Sequence, residues 1–388
     1  MADGSYDTRD FLEAAKSEYD LLVIGGGIVG TGIARDASMR GLSVILFEKE
    51  DLSSGTSSKS SRLIHGGLRY LDSYDFGLVF KDLHERETLL RIAPHLVKPL
   101  PFLIPNYDAR WIQKFRLRFG MVLYDLFSSG KSLPSHKMLS RDQLLELEPA
   151  LSEDGLQGGA MFYDCQVEFA ERLSIENALS AAEHRARIFT HSEVIAITRS
   201  GTTVTGAIVQ DQFSQKTYSF RSKVVMNAAG PWADNVLGLA VNDEKDLRKT
   251  KGIHIVFPKI TERALVLYAK SDGRLIFVIP WLGRSLVGTT DTNFERDPAT
   301  AQAERDDVEY LLRNVAILIK TAKEGEVEFV YAGVRPLVRN DSKSKESSVS
   351  RNYKIRDHKS EGAPGLISAL GVKLTSFRAA SKDAVDLV

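Results

Sequence analysis

The chain is poor in the residues that would place it among disulfide-stapled, membrane-spanning or nucleic-acid-binding proteins. A single cysteine, Cys165, excludes a disulfide framework and fits a reducing compartment, so a cytoplasmic location is expected. No run approaches the roughly 18 apolar residues of a membrane span, and the acidic N-terminus has no signal-peptide core. Lys plus Arg and Asp plus Glu both total 51, which leaves no basic field for nucleic acid. No internal repeat occurs, and the low-complexity content is confined to the polar patch Asp341 to Ser350. No His, Cys or carboxylate spacing suggests a metal. Residues 1–18 read as a frayed or lightly packed extension. At 388 residues the chain is long enough for two lobes.

The glycines are concentrated where they matter. Tyr19 to Gly32 reads YDLLVIGGGIVGTG, in which a short apolar strand, Leu21 to Ile24, runs into Gly25, Gly27 and Gly30. That is G-x-G-x-x-G. The first glycine allows the tight turn, the second lets a pyrophosphate approach the backbone, and the third lets the helix Ile28 to Met39 pack on the strand. The helix N-terminus presents unpaired N–H groups and its positive dipole end to the diphosphate. A second strand, Ser43 to Phe47, ends at Glu48, whose carboxylate is suited to the ribose hydroxyls.

A second glycine fingerprint for a nicotinamide nucleotide is missing. Gly66-Gly67 and Gly158-Gly159 do not follow buried strands at the right spacing. One dinucleotide must therefore do the redox chemistry itself. The polar loop Thr56, Ser57, Ser58, Lys59, Ser60, Ser61 and the following His65, Gly66 and Gly67 suit a diphosphate and a flavin edge held against backbone. Val224 to Met226 reads as a buried strand that passes under the cofactor at Ala228, Ala229 and Gly230. In flavoproteins of the glutathione-reductase type such a strand returns after a β-rich excursion, here Glu193 to Arg199, Thr203 to Gln210 and Thr217 to Arg221. Leu366 to Leu370 is another apolar strand, and Gly371-Val372-Lys373-Leu374-Thr375-Ser376 opens a helix whose N-terminus would face the flavin pyrimidine. FAD is the cofactor that these segments imply.

The blocks SSRLIHGGLRYL (Ser60 to Leu71), NAAGPW, KGIHIVFP (Lys251 to Pro258), FVIPW (Phe277 to Trp281), VGTTDT (Val287 to Thr292), YAGVRPL (Tyr331 to Leu337) and GVKLTSFR (Gly371 to Arg378) resemble FAD-dependent glycerol-3-phosphate dehydrogenases over residues 18–385. The family usually has two glycines before the lysine of its last motif; here the second is Val372. Members also commonly continue into a C-terminal helical domain, which this sequence lacks, so it reads as a minimal member or a truncated chain.

The resemblance implies an α/β fold, with a glutathione-reductase-type, Rossmann-like FAD domain and an inserted substrate domain on a mixed or antiparallel sheet. The FAD domain is expected from 18–84, 165–234 and 340–388, and the substrate domain from 85–164 and 235–339. The implied reaction is oxidation of sn-glycerol 3-phosphate to dihydroxyacetone phosphate, with electrons passed to a quinone or another acceptor. Arg69, Arg335 and Lys373 are placed around the substrate, with Tyr70 as a neutral donor. Arginine suits the phosphate because its planar fork binds two oxygens. Two histidines compete for the hydroxyl proton. His254, in an alternating strand Ile253 to Phe257, is expected as the base, and His65 as a flavin-shell residue; the reverse assignment stays open. Asp291 reads as a structural turn acid and Cys165 as a core residue. The rival readings are an oxygen-using glycerol-3-phosphate oxidase, a flavin oxidase of hydroxy or amino acids, and a non-catalytic FAD-binding subunit. Arg110 to Phe127 is a basic, aromatic amphipathic helix, compatible either with packing on the substrate lobe or with lying on the inner face of a membrane. A homo-oligomer is open.

Overall fold

The strand Glu18–Ile24 is buried without interruption from Leu21 to Ile24, as a central parallel strand must be. In the computed structural model, which describes residues 10–68, 75–108, 110–128, 130–241, 246–320, 326–339 and 352–388, it pairs in parallel with Val44–Phe47 and with Thr217–Asn227. Arg187–Phe189 extends this sheet beyond Val44–Phe47, and Leu366–Leu370 extends it beyond Thr217–Asn227; antiparallel Lys354–Asp357 closes that edge. The helix Ile28–Met39 returns over the sheet and packs on the helices Ala170–Glu183 and Phe377–Val385. Gly32 permits the second contact, since a Cβ there would lie 2.6 Å from Ser381 Oγ and 2.9 Å from Phe377 Cδ2.

The β-rich excursion is an antiparallel ladder of Ser192–Ser200 and Thr203–Asp211. Its third member does not end at Arg221. Thr217–Asn227 is one strand whose first half pairs with Thr203–Asp211 and whose second half pairs with Glu18–Ile24. The two expected strands merge because each half finds a different partner.

A second sheet runs in the order Thr292–Asn293, Leu247–Pro258, Arg284–Gly288, Leu275–Trp281, Ala264–Tyr268, Val97–Pro105, Gly159–Val167 and Leu63–Ile64. Phe329–Val338 adds to Leu247–Pro258, and Lys137–Leu139 to Gly159–Val167. Helices cover both faces. Phe76–Ile92 and Trp111–Phe127 bury Leu78, Leu83, Met121 and Tyr124 against Phe102, Phe162 and Leu286. Arg305–Ala316 and Arg141–Leu147 cover the opposite side through Leu311, Val315 and Leu144. The architecture is α/β with two mixed sheets.

Two local expectations fail. The N-terminal segment is not loosely packed from residue 11 onward. The helix Phe11–Lys16 is capped by the Asp10 carboxylate, and Phe11 is buried with its ring 4.7 Å from Phe189 and 4.8 Å from Tyr218. The helix after Leu366–Leu370 starts at Phe377 rather than at Gly371, which has φ 69° and lies against Val338 in a turn. The polar patch Asp341 to Ser350 lies outside the described residues. Among the described residues no helix is long and apolar enough to cross a membrane.

Candidate active site

The carboxyl ends of the parallel strands open into a cavity of about 1510 Å³, walled by residues of both sheets. That location follows the rule for open α/β sheets, in which ligands bind beyond the strand ends. The volume exceeds the roughly 300–1,000 Å³ of ordinary small-molecule sites. A dinucleotide and a second, smaller molecule account for it better than one metabolite.

The floor at one end is the glycine cradle. At Gly25, φ is 109° and a Cβ would meet Ala228 O at 2.6 Å; at Gly30 it would meet Gly25 O at 1.8 Å. These two glycines make the crossing of strand, turn and helix possible. Gly27 is different, because the nearest atom to an added Cβ is Ser57 Oγ at 3.2 Å. The constraint at Gly27 comes from the cavity side, as expected where a diphosphate must approach. Ile28 N, in the first turn of the helix, donates to Ser57 Oγ at 2.9 Å, so the serine hydroxyl marks the anion-facing N–H. Glu48 is buried, and burial raises its pKa; its oxygens accept from Gly26 N at 2.6 Å and Glu50 N at 2.9 Å. The carboxylate braces the turn. The cradle fits a dinucleotide.

The polar loop is tied to the second sheet. Thr56 Oγ1 donates to Val334 O at 2.7 Å, Ser58 Oγ to Gly55 O at 3.3 Å, and Ser61 Oγ meets His254 Nε2 at 2.8 Å. His65 N donates to Thr375 Oγ1, and His65 Nδ1 accepts from Gly67 N at 3.0 Å. Ser61, His65 and Gly67 therefore face the cavity together with residues 371–375, Leu374 among them. Val372, in place of the second glycine, packs against two core clusters. Ala229 and Gly230 line the opposite wall, with Ala229 N held by Asn227 Oδ1 at 3.3 Å.

His254 comes from the strand Leu247–Pro258 of the second sheet, opposite Tyr331, on which its ring stacks with centroids 5.0 Å apart. It is only 2% exposed, and Nδ1 has no hydrogen-bond partner among the described residues. Burial, with the charges of Arg335 and Arg62 adding to it, lowers its pKa to about 3. The imidazole is neutral at physiological pH, and its one bonded nitrogen faces a serine. Arg335 Nη2 donates to Thr289 Oγ1 at 2.7 Å, and Nη1 pairs with Asp291 at 3.3 Å. Gly252 leaves room for that guanidinium, since a Cβ there would meet Nη2 at 2.3 Å. Asp291 thus has a role that the sequence did not assign, as the anionic partner of Arg335. Lys373 Nζ pairs with the buried Asp82 at 2.9 Å. Arg69 and Tyr70 lie outside the described residues.

One network beneath the site has no sequence signature. Gly66 N donates to Asp164 Oδ1 at 3.2 Å and Tyr124 OH at 3.1 Å; Arg86 and Tyr124 both donate to Asp164, at 2.6 and 2.7 Å. A Cβ on Gly66 would lie 2.3 Å from Leu83 Cδ2. Asp164, Arg86 and Tyr124 look like ordinary polar residues in sequence, and only their convergence marks them.

A profile of the family described as FAD dependent oxidoreductase matches residues 20–382. The chain is 43% identical to a glycerol-3-phosphate dehydrogenase of Synechocystis sp., over 98% of this chain and 71% of that protein. It is 39% identical to one of Mycobacterium leprae, over 95% of this chain and 63% of that protein. The glycerol-3-phosphate dehydrogenase from Bacillus halodurans, solved in complex with FAD, superposes with a TM-score of 0.78 at 30% identity, over 97% of this chain and 65% of that one. The chain thus spans 63–71% of the length of these relatives. It belongs to the FAD dependent oxidoreductases and, among them, to the FAD-dependent glycerol-3-phosphate dehydrogenases.

Proposed function

We propose that the chain oxidises sn-glycerol 3-phosphate to dihydroxyacetone phosphate, with a cofactor lobe built on the first sheet and a substrate lobe on the second. The observation that carries this reading is the meeting of Arg335, Lys373, His254 and His65 in the wall of one cavity whose far end is the glycine cradle. Gly25, Gly27, Ile28, Gly30 and Ser57 would hold the FAD diphosphate, Glu48 the ribose, and residues 65–67 and 373–375 the flavin. Bound FAD supplies the hydride acceptor. Arg335 anchors the phosphate: its guanidinium is already oriented by Thr289 and Asp291, so little side-chain entropy is lost on binding. Lys373 adds a second cation. Arg69 and Tyr70 complete the substrate contacts in this proposal.

His254 is the proton acceptor in the form the site keeps, neutral and bonded through Nε2 to Ser61. Burial is the main cause of its lowered pKa, and a bound phosphate beside Arg335 would offset only the lesser contribution of that guanidinium. His65 stays with the flavin, its Nδ1 committed to Gly67 N.

Electrons pass on to a quinone, with the chain lying on the inner face of a membrane. The support is the helix Trp111–Phe127, whose side chains Phe115, Phe119, Val122 and Leu126 are at least half exposed, while Met121 and Tyr124 face the core. Anaerobic addition of glycerol 3-phosphate should bleach the bound flavin, and glycerol or lactate should do so at most slowly. Equal bleaching by all three would remove the phosphate assignment.

A further inference from the structure

The helix Phe76–Ile92 sends three ionisable side chains into the interior: Asp82, Glu85 and Arg86 are at most 3% exposed. Each meets a partner from a distant segment. Glu85 takes Arg378 through both oxygens, at 2.6 and 2.9 Å, and Arg86 binds Asp164 at 2.6 Å. Asp82 takes Lys373 at 2.9 Å. Asp82 differs from Glu85 in two respects. Its second oxygen, Oδ1, is buried without a hydrogen-bond partner among the described residues, and its lysine lines the cavity. A buried ion pair is weak support for a fold, because a well-packed neutral residue would fill the same volume at less desolvation cost. A carboxylate kept there, half-satisfied, is better explained by what it does to the ammonium.

We infer that Asp82 is a positioning residue acting through Lys373: it fixes the ammonium at the cavity wall and sets how much positive charge that side chain presents to an anion bound there. The inference rests on the reading of Lys373 given above. Lysine is a flexible arm carrying a point charge, and a fixed carboxylate removes most of its freedom. The same carboxylate cancels part of its field. Substrate and product of the proposed reaction carry the same phosphate, so a fully uncompensated second cation beside Arg335 would hold both too tightly. Asp82 tempers that grip.

Asp82→Asn keeps the shape and removes the charge. The test compares four FAD-loaded proteins: the unsubstituted chain, Asp82→Asn, Lys373→Met and the double variant. In each, inorganic phosphate is titrated by flavin difference absorbance, and the flavin midpoint potential is measured. Asp82→Asn should bind phosphate about fivefold more tightly and raise the potential, and both changes should shrink or vanish with Met at 373, as coupling between contacting residues requires. Coupling in either readout carries the proposal, and its absence from both overturns it. If Asp82→Asn does not fold, Asp82→Glu takes its place in the cycle. It moves the carboxylate by one methylene, and unchanged phosphate affinity and potential there would overturn the proposal equally. Failure of glycerol 3-phosphate to bleach the unsubstituted chain would remove the substrate reading, while the charge coupling is still decided by phosphate and potential.

Discussion

His254 shows how far the chemistry of one residue depends on groups remote in sequence. Its ring is boxed by Ser61, Tyr331 and the charges of Arg335 and Arg62, none of them a sequence neighbour. An isolated imidazole would titrate near 6.5; this one is held to about 3, first by burial. The stability consequence has a definite sign. Above about pH 6.5 the imidazole is neutral in folded and unfolded chains and contributes no pH dependence. As the pH falls from there towards 3, the unfolded chain takes up a proton that the folded chain refuses, so stability is lost at ~1.4 kcal/mol per unit of pH. Chemical denaturation between pH 7 and 4 should show this slope, and His254→Gln should reduce it. An identical slope in the variant would mean that the imidazole is not held neutral. The histidine was legible in the sequence as a candidate, but its burial was not, because that depends on strand pairing between residues 254, 288 and 331.

At the scale of elements, legibility followed whether the signal was local. The strand, turn and helix of the fingerprint lie within residues 18–39, and the helix Ile28–Met39 begins and ends where the apolar spacing and glycines place it. Leu366–Leu370 was equally plain as a continuous apolar run. By contrast, Asp82, Glu85 and Arg86 have the spacing of a solvated helical face yet are buried, because each has a partner contributed from elsewhere. The helix Trp111–Phe127 is the converse case. Its sequence allowed either a packed face or a membrane-facing one, and Phe115, Phe119 and Leu126 point outward beside Arg116 and Arg118. Such a face suits the boundary of an anionic bilayer, with arginines at headgroup level and phenylalanines below it. Replacing Phe115, Phe119 and Leu126 with Ser should reduce co-sedimentation with anionic vesicles by at least about tenfold, since three buried side chains contribute well over ~1.4 kcal/mol. The folded core should be unaffected, because none of the three is buried. Undiminished vesicle binding would place the contact elsewhere.

For the whole molecule, the cavity divides the two sheets as much as it serves them. Ile24 and Phe47 reach it from the first sheet, and Phe102, Val266, Phe277 and Arg335 from the second. The loop that follows Val44–Phe47 is tied to the second sheet through Thr56 to Val334 and Ser61 to His254. A cofactor that fills this space contacts both sheets at once and binds only the folded chain, so its binding free energy adds to stability. At a free FAD concentration a hundred times Kd, the gain is about 2.7 kcal/mol. Removing FAD should therefore lower the Tm and make it depend on added FAD. The effect separates from damage to the fold through Gly27. A side chain at this position first meets the Ser57 hydroxyl at 3.2 Å, a group that can rotate away, whereas one at Gly30 would drive into the backbone of Gly25 at 1.8 Å. Gly27→Val should accordingly fold, remain colourless and melt where the FAD-free chain melts, with no response to added FAD. Gly30→Val should fail to accumulate in folded form at all. If Gly27→Val purified yellow with the Tm of the loaded protein, the diphosphate would have to sit away from the fingerprint turn, and the assignment of that end of the cavity would be lost.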